Sequence, residues 1–173
     1  YIVHATPELT EINTFWKLVW DETVTVIVVF GENFDALGLP NIQQKDRSEE
    51  QIIGQLQITT KKDSIWASYV IRQILIKNLN AKKHKYLDRC IHICLYIPGH
   101  GSLKRENPIR FVQFLWLCSQ VADYTSISPV LVCSSRKFEL LGSFLVSETM
   151  NQLIRCQNKV NIFGYLHYIR QQY

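Results

Sequence analysis

Residues 12 to 30 read INTFWKLVWDETVTVIVVF, an amphipathic pattern followed by a β-branched run. Five apolar residues in the first part recur at helical spacing: Ile12, Phe15, Trp16, Val19 and Trp20. This periodicity predicts a helix over residues 11–20, with Thr10 as its N-terminal cap. The run Val24 to Phe30 is almost entirely apolar and predicts a buried strand. A helix followed at once by a buried strand indicates a layered α/β domain.

Further strands are predicted after a surface excursion. Gly38, Pro40 and the charged residues 45–50 are typical of turns and exposed loops. Alternation of apolar and polar residues returns at Ile52, Leu56 and Ile58, and again over residues 65–77. Residues 90–97 form another such segment after a basic turn. Strands this close in sequence favour antiparallel hairpins.

The second half of the chain alternates helices with a strand. Asn107-Pro108 predicts a helix start, because Asn is a favoured cap and Pro suits the first helical position. Four apolar residues are predicted to form the inward face of this helix: Ile109, Val112, Leu115 and Trp116. A strand over residues 129–133, a helix around 143–156 and a last helix beginning near Asn161 follow. The predicted fold class is α/β, with a mixed, largely antiparallel twisted sheet flanked by helices, in a single domain over residues 1–173.

Composition limits the class of protein. With 173 residues, 47% of them hydrophobic, the chain can bury a core without disulfides or a structural metal. Its five cysteines are odd in number and scattered, which disfavours a secreted disulfide framework and favours a cytoplasmic setting. No stretch reaches the roughly 18 apolar residues of a membrane span, and the start lacks the layout of a signal peptide. We expect no cofactor and no membrane contact by this segment.

The charge distribution bears on the partner. The net charge of +4 is modest, and the basic residues occur in short groups such as Lys61-Lys62 and residues 82–85. Nucleic-acid-binding domains carry larger basic patches or stripes. The pattern disfavours nucleic acid as a partner and leaves open an acidic or phosphorylated protein.

Several motifs resemble the tyrosine-specific protein phosphatase family in order and spacing. Tyr1-Ile2-Val3 is similar to the family's YIA segment, residues 15–21 (FWKLVWD) to its FWxMVWE helix, and residues 26–29 (VIVV) to its VIVM strand. Arg72 resembles the central strand arginine, and residues 98–101 (PGHG) resemble the WPDHG of the moving loop. Residues 129–134 (PVLVCS) look like the strand that ends in the HCSAG signature. The resemblance implies a tyrosine phosphatase-like fold.

The resemblance continues to the end of the chain. Residues 160–164 (VNIFG) and 169–172 (IRQQ) are similar to the helix near the end of receptor-type phosphatase domains, a pattern shared by phosphatase-like proteins of parasitoid-wasp viruses. The match covers about the middle and later two-thirds of a whole family domain. The family's N-terminal phosphotyrosine-recognition loop and its glutamine-bearing loop after the final helix have no counterpart here. The resemblance therefore implies a partial domain.

The position of the family's nucleophile is Cys133. In the family this cysteine is a low-pKa thiolate inside a loop of backbone N–H groups at a helix N-terminus. An arginine six residues later clamps two phosphate oxygens. That position is Glu139 here, or Leu140 if one extra residue in the loop aligns residues 142–144 (GSF) with the family's glycine-threonine-aromatic. Neither register supplies a guanidinium, so Cys133 is predicted to be a vestigial nucleophile.

The phosphate cradle differs as well. Arg136 and Phe138 replace loop glycines that would let the backbone approach a phosphate. The candidate phosphate-binding residues that remain are Ser134, Ser135, Arg136 and Lys137. Any phosphate held here would be held through positive side chains rather than through backbone donors.

The moving loop lacks its general acid. In the family an aspartate protonates the leaving tyrosine oxygen, a contribution of roughly two to four orders of magnitude in rate. That position is Gly99 here, and the neighbouring His100 matches a family histidine that is not the acid. The anchoring tryptophan of the loop is Ile97, and the histidine before the nucleophile is Val132. Four altered positions together predict the loss of catalysis.

A metal site is a separate candidate. Cys90, His92 and Cys94 alternate along a predicted strand and project from one face, and His84 would complete a set of soft ligands. The same segment matches the strand before the moving loop, a core element of the resembled fold. Packing is therefore the preferred interpretation, and no metal is predicted.

The sequence thus predicts a catalytically inactive tyrosine phosphatase-like domain, a pseudophosphatase. It would act in protein binding or scaffolding in phosphotyrosine signalling, with a protein partner that includes phosphotyrosine-bearing ones. Two alternatives stay open: an active protein tyrosine phosphatase that uses Cys133, and a decayed fragment without function.

Overall fold

The computed structural model describes residues 1–40, 50–80, 88–97, 107–122, 128–134 and 138–172. These residues belong to two compact units, Tyr1–Arg136 and Lys137–Tyr173. The single domain over residues 1–173 stays a prediction.

The first unit is built on a seven-stranded mixed sheet. Its strands are β1 (Ile2–Ala5), β2 (Val26–Phe30), β3 (Glu50–Ile53), β4 (Leu56–Ile65), β5 (Tyr69–Asn78), β6 (Asp88–Tyr96) and β7 (Val130–Ser134). Their order in space is β1-β7-β2-β6-β5-β4-β3. The pairings from β1 to β6 are parallel, and those from β6 to β3 are antiparallel and include the two longest ladders. The predicted mixed α/β class with antiparallel hairpins is confirmed.

Two helices of this unit cover opposite faces of the sheet. Helix α1 (Ile12–Asp21) shares a core with Ile27 and Val29 of β2. Helix α2 (Pro108–Val121) packs against the other face, where Phe114 contacts Phe30 of β2 with ring centroids 6.0 Å apart. Because strand side chains alternate between faces, the wholly apolar β2 is buried on both sides, which explains its sequence.

Helix α1 begins one residue later than its predicted cap would require. Thr10 lies within a turn in which the backbone N–H of Glu11 donates to the carbonyl of Glu8 at 2.9 Å. Glu11 occupies the cap position and makes no side-chain capping hydrogen bond. The prediction of Thr10 as the cap was wrong because a local turn takes up the residues before the helix.

The end of α1 explains why β2 is shorter than predicted. Thr23 adopts a left-handed conformation with φ of 53°, and the N–H of Val24 donates to the carbonyl of Val19 at 3.1 Å. Together with a 3.2 Å bond from the Thr23 N–H to Trp20, this is a Schellman motif. The backbone of Val24 therefore closes the helix, and the strand begins at Val26.

The stretch after β2 is only partly a surface excursion. A 3-10 turn at Asp35–Leu37 buries Leu37, and the indole Nε1 of Trp16 donates to the Leu37 carbonyl at 2.8 Å. Gly38 follows with φ of 67°, where a Cβ would come within 2.9 Å of the Ile12 side chain. A glycine is required at this position for both reasons. This segment therefore closes onto α1.

The remaining predicted strand divides in two. Residues 65–77 were expected to alternate as one strand, but β4 ends at Ile65 and β5 begins at Tyr69. The N–H of Trp66 donates to the Tyr69 carbonyl at 2.9 Å and closes the tight turn between them. A short hairpin turn without glycine or proline gives little signal in the sequence.

Helix α2 faces the core with a different side from the predicted one. Ile109, Val112 and Trp116 point outward, whereas Phe114 and Cys118 are buried. The buried side forms an aromatic cluster with the ends of β2 and β6, including a 5.0 Å approach of the Phe114 and Tyr96 ring centroids. Both sides of the helix are apolar, so periodicity alone did not decide between them.

The predicted start of α2 is confirmed. The Asn107 side chain accepts from the Ile109 N–H at 3.0 Å, and Pro108 is the first helical residue. We expect Asn107→Ala to lower the free energy of unfolding by about 1 kcal/mol, because one N–H of the first turn loses its acceptor. Urea unfolding measures the change, and Gln113→Ala, an exposed residue of the same helix, serves as the control. Equal effects of the two substitutions would contradict a capping role.

The second unit is a pair of helices, α3 (Phe138–Gln157) and α4 (Ile162–Gln172). Asn161 caps α4, since its side chain accepts from the Gly164 N–H at 2.8 Å. The hydroxyl of Thr149 donates to Tyr165 Oη at 2.9 Å and links the two helices. Both predicted helices are present, and α3 begins earlier than residue 143.

Candidate functional site

The parallel half of the sheet places four strand ends at one edge. Ala5 of β1, Phe30 of β2 and Tyr96 of β6 are in register with one another through Ser134 of β7 or directly. Ligand sites of α/β sheets lie beyond the carboxyl ends of parallel strands. The candidate site is therefore this edge, and residues 98–106 and 135–137, which follow β6 and β7, lie outside the described residues.

Cys133 is a core residue of β7. Its side chain is completely buried and belongs to the cluster that contains Val29 and residues of α1. Its Sγ lies 3.6 Å from the carbonyl oxygen of Val28, to which the thiol donates. Burial raises the pKa of Cys133 to about 12 from its ordinary value of 9.0. The protonated thiol is the form that this environment stabilises.

The surroundings of the sulfur explain this pKa. A thiolate is stabilised by N–H donors, by a cation or by a helix N-terminus. The described contact of Sγ is instead with a carbonyl oxygen, which can accept a proton but would repel a negative sulfur. Ionisation at this position would therefore cost both a hydrogen bond and the desolvation of a charge.

Ser134 lies on the opposite side of the strand from Cys133. Successive strand residues point to opposite faces, and Ser134 is fully buried on its own face. Its backbone carbonyl accepts from the Thr6 N–H at 3.3 Å. The strand thus separates two residues that the sequence placed in one site, and Ser135, Arg136 and Lys137 lie outside the described residues.

His4 is the ionisable neighbour of Cys133 in the sheet, and the sequence did not single it out. It occupies the β1 position in register with Cys133. Its Nδ1 lies at the Ala5 carbonyl, and its ring packs edge-on against Phe15 with centroids 5.7 Å apart. The parallel pairing of β1 with β7 creates this neighbourhood, and it leaves no trace in the local sequence. The contacts are those of a half-buried packing residue.

Glu139 and Leu140 begin helix α3. Glu139 is exposed in the first turn, where a carboxylate favours the helix dipole, and its backbone carbonyl accepts from Ser143 Oγ at 2.8 Å. Leu140 is half-buried. Both alternatives for the family's arginine position are thus ordinary helix residues.

Ile97 ends the segment before the moving loop. It packs against the main core, and its N–H donates to the Ser68 carbonyl at 2.8 Å. The backbone therefore ties the exit of β6 to the β4–β5 turn without an aromatic anchor. Gly99 and His100 lie outside the described residues.

Arg72 is a buried cation at the centre of β5. Its guanidinium donates to both Asp63 carboxylate oxygens, at 2.8 and 2.7 Å, and also to the Pro40 carbonyl. It lies 4.1 Å from the Phe34 ring centroid, and its side chain is 2% exposed. Its donors are thus directed to protein acceptors, and the residue joins β4, β5 and the segment after β2.

The three candidate metal ligands of β6 are on one face, as predicted. Cys90 is exposed and accepts from Gln73 Nε2 at 3.2 Å, whereas Cys94 is buried. Burial lowers the pKa of His92 between them. Among the residues described here, no group of three or more His, Cys, Asp or Glu side chains is placed to hold a metal ion. His84 lies outside them.

None of the helices in the described parts of the chain is long and apolar enough to cross a membrane.

A cysteine near the carboxyl end of a central parallel strand, followed by a helix, is the arrangement of the cysteine-dependent phosphatase class. The family model described as protein-tyrosine phosphatase matches residues 1–173. The chain belongs to the protein-tyrosine phosphatase family.

The relatives are receptor-type enzymes by name. A Culex quinquefasciatus protein named as receptor-type tyrosine-protein phosphatase mosPTP-1 is 27% identical over 165 residues, covering 91% of this chain and 11% of that protein. Tyrosine-protein phosphatase 99A of Drosophila melanogaster is 25% identical over 171 residues, covering 91% and 12%. Human receptor-type tyrosine-protein phosphatase zeta is 28% identical over 183 residues, covering 99% and 8%. The chain thus spans about a tenth of the length of these relatives.

Proposed function

We propose that this phosphatase-family domain is catalytically inactive and acts in the cytoplasm as a protein-binding or scaffolding module in phosphotyrosine signalling. The observation that carries the proposal is the state of Cys133. Its complete burial, its contact with the Val28 carbonyl and a pKa of about 12 all favour the unreactive thiol. At pH 7 a group with this pKa is ionised in only about one molecule in 10⁵.

The lost partners of the nucleophile support the same conclusion. Both registers of the arginine position, Glu139 and Leu140, lack a cation, and the acid position is Gly99. Phosphoryl transfer depends on a clamp for the developing charge and on a proton for the leaving group. Removing nucleophile activation, clamp and acid together removes each source of rate that the family uses.

The proposed partner is a protein, by way of surfaces that the framework still presents. Arg136 and Lys137, with Ser134 and Ser135, are the positions through which a phosphotyrosine would be contacted. We propose neither nucleic acid nor membrane as a partner of this segment, because its basic residues form short groups and not a stripe.

Catalysis and thiol reactivity test the proposal together. We expect the chain to hydrolyse para-nitrophenyl phosphate no faster than its Cys133→Ser variant. In the folded chain at pH 7.5, iodoacetamide should alkylate the exposed Cys90 and Cys156 but leave Cys133 unmodified, as read by peptide mass mapping. The two exposed cysteines serve as internal controls for the reagent.

One result would overturn the proposal in favour of the active enzyme. Turnover that disappears in Cys133→Ser, accompanied by alkylation of Cys133 faster than that of Cys90, would show a nucleophilic thiolate. Unfolding without a cooperative transition would instead favour the decayed fragment.

A further inference from the structure

Helix α2 carries a second apolar face that points away from the sheet. Ile109, Val112 and Trp116 are 67%, 60% and 62% exposed. Their spacing of three and four residues places them in one row along the helix. We call these three residues the outer stripe.

The rotation of α2 is fixed, so the outer stripe is not an inward face turned the wrong way. On the other side, Phe111 and Phe114 pack against Tyr96 with ring centroids 5.9 and 5.0 Å apart. Cys118 is buried on the same side, and the Asn107 cap holds the first turn. Turning the helix would expose this aromatic cluster. A helix that is apolar on both faces is typical of one that is covered on both.

The size of the outer stripe indicates what covers it. Seven residues separate its ends, a length of about 10 Å. A stable dimer buries about 800 Å² on each partner, whereas even a tryptophan supplies at most about 250 Å². Three side chains therefore fall well short of a dimer interface but match one helix laid along α2.

The charges around the outer stripe indicate the chemistry of that helix. Gln113 and Gln120 flank the stripe, and both are exposed and uncharged. Arg110 is exposed at the N-terminal turn of α2, where the helix dipole is also positive. A complementary surface has an apolar row facing the stripe and a carboxylate beside this end.

We propose that the outer stripe is the docking surface for a single amphipathic, acidic helix of a partner protein. This inference deepens the proposed binding function and rests on it. Such helices bind through anchors spaced by three, four and seven residues, and an exposed tryptophan is a frequent centre of binding energy. Trp116 would be the main anchor of the complex.

Peptide titration of the whole 173-residue chain tests the proposal. The probe is a fluorescein-labelled, 14-residue helical peptide with leucines in one row and glutamates at one end, compared with a scrambled peptide of the same composition. We expect the patterned peptide to bind at least about tenfold more tightly by fluorescence anisotropy. Trp116→Gln should weaken its binding about thirtyfold. Arg110→Gln should weaken it about twofold to fivefold.

Two further variants keep the test sharp. Trp66→Gln removes another exposed tryptophan, 43% exposed and outside α2, and should leave binding unchanged. Val112→Gln should weaken binding as Trp116→Gln does, and both should unfold at nearly the wild-type temperature because their side chains point to solvent. Equal binding of the two peptides, or unchanged binding in both stripe variants, would overturn the proposal.

Self-association is the remaining outcome. A dimer in sedimentation velocity that Trp116→Gln dissociates would assign the outer stripe to a second copy of the chain and overturn the proposed occupant. Turnover of para-nitrophenyl phosphate would overturn catalytic inactivity without changing peptide affinity. Failure of the two proposals can therefore be told apart.

Discussion

Arg72→Met should lower the free energy of unfolding by about 3–5 kcal/mol, the range for breaking a buried ion pair by removing one partner. The substitution keeps an unbranched side chain of similar length, so most of the packing against Phe34 remains. What it removes is the pair of hydrogen bonds to Asp63 and the bond to the Pro40 carbonyl. Asp63 would then be a largely buried carboxylate, 13% exposed, without its cation.

Urea unfolding of Arg72→Met beside Lys77→Met measures this effect. Lys77 lies on the same strand but is exposed, so its substitution should change stability by less than about 0.5 kcal/mol. A double-mutant cycle with Asp63→Asn isolates the pairwise part, because asparagine keeps an oxygen acceptor without the charge. A loss below about 1 kcal/mol in Arg72→Met would show that Arg72 does not hold β4, β5 and the segment after β2 together.

The fold was predictable where one face of an element is apolar and where its ends carry local signals. Helix α1 and the doubly buried β2 follow from residues 12–30, and Asn107-Pro108 fixed the start of α2. The inward side of α2 was not predictable, because Phe114 and Trp116 are equally apolar and only the aromatic ends of β2 and β6 select Phe114. The Thr10 cap failed for a related reason, since a turn at Glu8 competes with it.

The candidate site was predictable as a set of residue identities but not as an environment. The alignment of Cys133, Glu139 and Gly99 with family positions needs only the sequence. That Cys133 donates to Val28 and lies beside His4 depends on the parallel pairing of β7 with β2 and β1. Strands that are about a hundred residues apart in sequence make those contacts, so no local pattern encodes them. The outward position of Trp116 is hidden from the sequence for the same reason.

Cys133 should make the folded chain sensitive to alkali. Its pKa is about 12 in the folded state and 9.0 as an ordinary thiol, so between these values the native state keeps a proton that the unfolded state has lost. The free energy of unfolding therefore falls as pH rises, and the contribution is fully present below pH 9. From pH 8 to pH 11 we expect Cys133 to account for a loss of about 2.5 kcal/mol, from linkage between these two pKa values.

Lysines and tyrosines also titrate in this range, so the measurement has to be a difference between matched variants. Urea unfolding at pH 8 and pH 11 would be compared for the wild type, Cys133→Ala and Cys90→Ala. Cys133→Ala should lose about 2.5 kcal/mol less than the wild type between the two pH values. Cys90→Ala should match the wild type, because Cys90 is exposed and titrates alike in both states. A Cys133→Ala variant that follows the wild type would mean that Cys133 ionises near pH 9 in the folded chain, and an ionisable thiol there would restore the nucleophile that catalysis requires.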